Sequence, residues 1–276
     1  MGLENAFIYS SIIRERLALL SFARELSLAV STELSVALET NGRGFHGFIV
    51  ELPGAFVRGS KEEETLSKAQ HEAMSYLAWL GIELKQLPTT RKVQTHLCKL
   101  MVEDADCEIL LDVDRAPMGD REFQLLVELA KHSGLSFTKL YDSVKLKDWV
   151  DEARIRKTFY GQNKKTIKEI FDHVKRTQYY YMSRIPIPFS EDEALPFMEI
   201  RESGLDSLER RFRKEANSKV YNVENEEWTL KKILRRFVWH DRIHGKAITR
   251  ILEKQRQLGL IDRYEDLFQF KIHHAS

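Results

Sequence analysis

The stretch Thr229–Glu253, TLKKILRRFVWHDRIHGKAITRILE, decides the reading of the chain. Leu230, Ile233, Phe237, His240, His244, Ile248 and Ile251 recur at spacings of three and four, which predicts one apolar stripe along an α-helix. Two histidines lie inside that stripe. Burying an imidazole strips its hydration, so two on adjacent turns require a reason. Their i, i+4 spacing brings the rings to one point, as two helical ligands of a divalent metal must be. On the opposite side of the wheel fall Lys231, Lys232, Arg235, Arg242 and Lys246, with Arg236 on the flank. This basic run is expected to be a solvated outer face.

Composition limits what such a helix can belong to. The 276 residues, 43% hydrophobic, suffice for two modest cores or one large one. Forty-three lysines and arginines nearly cancel 42 acidic residues, so no strong field recruits nucleic acid or an anionic membrane. Cys98 and Cys107 are the only cysteines, which argues against a disulfide scaffold and a thiolate zinc site and for a reducing cytoplasm. Within residues 1–30, apolar patches such as 17–22 are broken by Glu4, Arg14, Glu15, Arg16, Arg24 and Glu25. Neither a signal sequence nor a membrane span is expected there. The segment reads as an N-terminal extension.

Residues 31–118 read as a small α+β module. Strands are predicted at 34–38, 45–52 and 55–58, separated by Asn41-Gly42 and Pro53-Gly54. A helix is predicted from about Glu62 to Leu80 on the stripe Leu66, Ala69, Ala73, Tyr76, Leu77 and Leu80, stopped by Gly81. His71 falls off the stripe and reads as surface. Apolar runs at 93–102 and 107–113 are expected to add strands. The run from Gly47 to Ser60, GFIVELPGAFVRGS, with Glu62-Glu63 and Glu72-Ala73 in the helix, resembles the sheet-and-helix domain of HicB-type antitoxins over residues 33–82. The resemblance implies the fold, and the antitoxin role is not carried over.

From Gly119 the chain reads as helical. Phe123, Leu126, Val127, Ala130, Gly134, Phe137, Tyr141 and Val144 predict a first bundle helix, with His132 away from its stripe. A polar connection over 145–165 leads to Thr166, which with Glu169 forms a capping box opening a second helix that ends at Pro186-Ile187-Pro188. Thr166-Ile167-Lys168-Glu169-Ile170-Phe171 is echoed by Thr229-Leu230-Lys231-Lys232-Ile233-Leu234. His173 lies seven residues after the first threonine and His240 eleven after the second, about two and three turns, so the two share a phase. That makes His173, in line with Ile170, Thr177 and Tyr180, the third candidate ligand. Leu205, Leu208, Phe212 and Ala216 mark a third helix after a crossover at 186–196, long enough for an up-down-down-up order. Leu267, Phe268 and Phe270 are placed to fold back on the core, whereas His273 and His274 read as a loose terminus.

The expected fold class is therefore a two-domain α+β protein, with the module at 31–118 followed by a four-helix bundle over 119–276. Ile170-Phe171-Asp172-His173, Glu227 to Leu234 and His240-Asp241-Arg242-Ile243-His244 resemble the DinB-like four-helix bundles across roughly residues 119–270. The resemblance implies a divalent metal on His173, His240 and His244, and a transferase or isomerase that uses a low-molecular-weight thiol. Three neutral imidazoles leave an open coordination position and the full charge of the ion, the pattern of catalytic zinc. Zinc or nickel is favoured, iron and copper being acceptable to the same donors. Asp241 is the candidate base or ring-orienting group, with Asp172 or Glu169 as counterparts on the second helix. Gly245 leaves room for a substrate or for close helix approach and has no assigned role. The order His-Asp-Arg-Ile-His departs from the zincin signature, where glutamate stands second, so a protease is disfavoured. Tyr179, Tyr180 and Tyr181 read as packing and rim residues, and Trp239 as a contact to the N-terminal module. The expected partner is a small-molecule substrate, with neither nucleic acid nor membrane, and a homodimer left open. The competing class is a non-catalytic binding or regulatory protein whose bundle is a metal-stabilised scaffold. A roomy pocket over the three histidines would separate the first class from the second.

Overall fold

The structure, a computed structural model, describes residues 33–158 and 161–270. The expectations for the first thirty residues and for His273 and His274 fall outside the described residues.

The strands β1 (Glu33–Thr40), β2 (Phe45–Ile49), β3 (Phe56–Gly59) and β4 (Thr89–Leu97) form one sheet in the order β3-β2-β1-β4. The first two pairings are antiparallel hairpins, and β4 joins β1 in parallel after the helix α1 (Glu62–Trp79). Alternation along β1 sends Leu34, Val36 and Leu38 toward Ala69, Ala73, Tyr76 and Leu77 of α1. The other face carries Ala37 and Glu39, beside Phe48 of β2. His71 is exposed, as expected.

Residues 107–113 are not a strand. They run over the second sheet face as a strap ending in a single 3₁₀ turn at Asp112–Asp114. Side chains satisfy the strap's backbone: Glu39 accepts from the amides of Glu108 and Ile109, while Lys232, Arg235 and Arg236 donate to the carbonyls of Glu108, Ile109 and Cys107. An apolar run does not specify a strand when its hydrogen bonds are taken elsewhere.

Four longer helices follow: α2 (Asp120–Ser143), α3 (Ile167–Met182), α4 (Phe197–Glu215) and α5 (Leu230–Gln257). Two short hairpins lie between them, β5 (Lys157–Thr158) with β6 (Gly161–Gln162), and β7 (Tyr221–Val223) with β8 (Glu226–Trp228). The echoed threonines do the same work: Thr166 accepts from the Glu169 amide and Thr229 from the Lys232 amide, each as an N-cap. α2 packs on α4 and α5, and α3 packs on α4 and α5. A single apolar cluster runs from Leu34 in the sheet through these helices to Phe268 in the tail. The start of α2 therefore marks a change of architecture without a break in the core.

The basic face of α5 is not solvated. Lys231, Lys232, Arg235, Arg236 and Arg242 are all buried, and Lys246 is half-buried. The helix wheel locates polar residues correctly but says nothing of what covers them. Here the sheet, the strap, α1 and the β7–β8 hairpin do, and they bring compensating acids: Arg235 pairs with Asp114 at 2.6 Å, Arg242 with Glu72 of α1 at 2.7 Å and Lys232 with Glu226 of β8 at 2.8 Å. Trp239 sits on that side with Ala37, Phe48 and Phe56, meeting the N-terminal module as expected. Two glycines permit the close approach. Gly54 has φ +89°, and a Cβ there would lie 2.6 Å from Val238; one at Gly245 would lie 2.6 Å from the ring of Phe268. Gly245 thus makes room for the returning tail, not for a substrate or a neighbouring helix.

Glu72→Ala would leave Arg242 buried without its carboxylate and should cost about 3–5 kcal/mol in urea denaturation. Glu33→Ala, which removes the exposed partner of Arg91, should barely shift the transition.

Candidate metal centre

α3 supplies His173, and α5 supplies His240 and His244 one turn apart. The ring centroids are 5.0 Å apart for His173 and His240, 4.8 Å for His173 and His244, and 4.4 Å for His240 and His244. One nitrogen from each lies within 4.8 Å of the other two. Among the described residues, none hydrogen-bonds to these ring nitrogens. Burial holds all three imidazoles neutral: His173 lies at a pKa of about 4, with Lys164 and Arg176 adding to the effect, and His240 and His244 lie well below the ordinary histidine value, with the neighbouring imidazoles adding to it. Converging neutral imidazoles with free lone pairs are what a divalent ion requires.

The three rings lie in the wall of a cavity of about 940 Å³. Ile170, Thr177 and Tyr180, which share the phase of His173 on α3, line it, as do Tyr181 and Trp239. Tyr180 is exposed at the rim, Tyr181 is buried in the wall, and Tyr179 is turned away, its hydroxyl donating to the Asp192 carbonyl at 2.5 Å. The N-terminal module contributes Arg58 and the residues 104–108 to the opposite wall.

Asp241 is not part of this site. Its carboxylate is completely buried and bound on both oxygens by Arg201, at 2.9 and 3.0 Å, while Ser133 donates to Oδ2 at 2.6 Å. Arg201 also donates to the Ala130 carbonyl and to Gln178. The expected base or ring-orienting residue is instead the centre of a polar tie between α2, α3, α4 and α5, because one step along the helix from His240 turns a side chain by about 100°. Asp172 lies in a separate surface hollow with Lys165 and Arg176, and Glu169 accepts from the Lys165 amide. His132 packs against Trp79, away from the centre.

Sequence reasoning missed the charged groups that the fold adds. Arg154, Arg176 and Arg250 line the cavity; Arg154 Nη1 is buried without a hydrogen-bond partner, and Arg176 and Arg250 form no ion pair among the described residues. Asp106 lines the same cavity, its carboxyl raised above the usual range chiefly by burial. These residues come from separate segments, so no local spacing could have grouped them. Comparison with family models, curated proteins and solved structures gave no match.

The depressed histidines tie stability to pH. In metal-free protein the unfolded chain binds protons on His173, His240 and His244 from near pH ~6.5 downward, whereas the folded chain resists until about pH 4 at His173. Folding stability should therefore fall as pH drops from 7 to 5, and a His240→Gln/His244→Gln variant should show a shallower fall in urea titrations at the two pH values.

Proposed function

We propose that the chain is a divalent-metal-dependent enzyme acting on a small molecule, with His173, His240 and His244 as the protein ligands. The observation that carries this reading is the convergence of three unpartnered, neutral imidazoles in the wall of a cavity large enough for a small-molecule substrate. A structural site would be sealed by packing; this one adjoins a cavity whose rim includes exposed Tyr180, Arg176 and Arg250. The packing of both α2 and α3 on α4 and α5 supports a four-helix bundle of the DinB-like type.

A divalent ion held there would supply a Lewis acid able to strengthen the acidity of water or a thiol. The other steps belong to the chain. Arg154, Arg176 and Arg250 attract and orient an anionic group of the substrate; Trp239, Tyr181 and Ile243 exclude water from one wall; Asp106 accepts or returns a proton. Transfer or isomerisation that uses a low-molecular-weight thiol is the reaction class that the DinB-like resemblance adds, and zinc or nickel are the favoured metals. The two free cysteines fit a reducing compartment such as the cytoplasm. Among the described residues no helix is long and apolar enough to cross a membrane. The binding-protein reading loses support because the sheet face carrying Ala37, Phe48 and Phe56 is already covered by the strap and α5.

The test is elemental analysis of untagged protein dialysed without chelator, beside His173→Ala and His240→Ala/His244→Ala. The parent should hold one equivalent of metal more than either variant, and thiol-transfer activity with a small electrophile should fall at least about a hundredfold in both. Equal metal content in parent and variants, after reloading with zinc and with nickel, would sink the metalloenzyme reading.

A further inference from the structure

A second group of donors lies behind Trp239, on the sheet face that the strap covers. Glu39 of β1 stands directly opposite His46 of β2 in the antiparallel register, so both side chains project from the same face. Cys107 opens the strap that crosses it. Glu39 and His46 are wholly buried and Cys107 is 7% exposed, and one donor atom of each lies within 4.8 Å of the other two.

Their hydrogen bonding is incomplete in one direction only. Glu39 Oε1 accepts from the amides of Glu108 and Ile109 at 2.8 and 3.0 Å, which fixes the carboxylate. Its other oxygen, Oε2, has no partner. Neither Nδ1 nor Nε2 of His46 has one, although the ring is held in place by Phe48 at 4.4 Å and by Phe56 and Trp239 at 5.9 and 5.8 Å. A buried polar atom left unsatisfied costs about 1–3 kcal/mol, and two neighbouring side chains carry three of them here. A core histidine ordinarily spends at least one nitrogen on a carbonyl or carboxylate; this one spends none.

The charges also balance around a cation. A thiolate at Cys107 and the carboxylate of Glu39 neutralise a divalent ion, with His46 uncharged. Arg236 donates to the Cys107 sulfur and to its carbonyl, and it shares Glu226, at 3.5 Å, with Lys232, at 2.8 Å. Mixed sulfur, nitrogen and oxygen donors suit zinc among the common divalent ions.

We propose that Glu39 Oε2, His46 and Cys107 Sγ form a second metal site, for zinc, which clamps β1 and β2 to the strap. It is distinct from the three-histidine centre. The Trp239 ring stands between them, 5.8 Å from that of His46 and 5.9 Å from that of His240. The strap it fixes starts at Cys107, next to Asp106, and both residues line the cavity wall, so this site would set the shape of the other.

Cobalt(II), added alone to the metal-free full chain, reports the thiolate directly, because a sulfur ligand gives a near-ultraviolet charge-transfer band that histidine and carboxylate ligands do not. The chain has two cysteines, so in Cys98→Ser any such band arises from Cys107. The expected result is a band in the parent, in Cys98→Ser and in His173→Ala, its loss in Cys107→Ser, and its disappearance on adding one equivalent of zinc beyond that taken by the three histidines. Absence of the band in folded Cys98→Ser would overturn the proposal even if Cys107→Ser fails to fold, and so would a band that folded Cys107→Ser retains.

Discussion

The burial of residues 230–242, the first half of α5, on every side is the constraint on which the rest of the structure depends. A helix with five buried cations is stable only if each finds a carboxylate or a set of carbonyls, since an unpaired buried charge costs several kcal/mol. The N-terminal module and the α1–α5 pairing supply them: Glu72 for Arg242, Asp114 for Arg235, the Val113 carbonyl for Lys231, and the carbonyls of residues 107–109 for Lys232, Arg235 and Arg236. That requirement holds the 107–113 strap in an irregular path and joins the sheet to the helices. Gly54 and Gly245 serve the same end, letting the β2–β3 turn and the ring of Phe268 reach the helix surface.

The site follows from this arrangement. α5 presents His240 and His244 to α3 on one side, and Trp239, Arg236 and Arg235 to the sheet and strap on the other. The cavity forms where these surfaces diverge, so its walls come from both halves of the chain. The Asp241–Arg201 tie, 1% or less exposed at either partner, holds the neighbouring turn of α5 against α4 and so fixes the direction in which His240 points. A residue that reads as catalytic from its place beside a histidine is therefore a scaffold residue that positions it.

What was legible in the sequence was whatever has a period. The seven-residue stripe of α5, the echoed threonine caps and the matching phase of His173 and His240 each follow from helix geometry alone. Alternation, glycine turns and a helical stripe place β1, β2, β3 and α1 within a few residues, whereas β4, Thr89–Leu97, lies earlier than the apolar run at 93–102 that stands for it. What was not legible depends on which element covers which. The basic face of α5 looked like a water-facing surface because a helix wheel has no term for a second layer. Residues 107–113 looked like a strand because the run is apolar, and nothing local announces that arginines more than a hundred residues later will take its carbonyls. Arg154, Arg176, Arg250 and Asp106 meet only in three dimensions.

The proposed metal centre at His173, His240 and His244 is open to a direct test. Crystals of the full chain grown with zinc, with diffraction data collected on both sides of the zinc absorption edge, would locate the ion without reference to any activity. The account predicts an anomalous peak at about 2.0–2.1 Å from one nitrogen of each of the three histidines. A well-ordered map in which these imidazoles point at one another with no peak between them would contradict it.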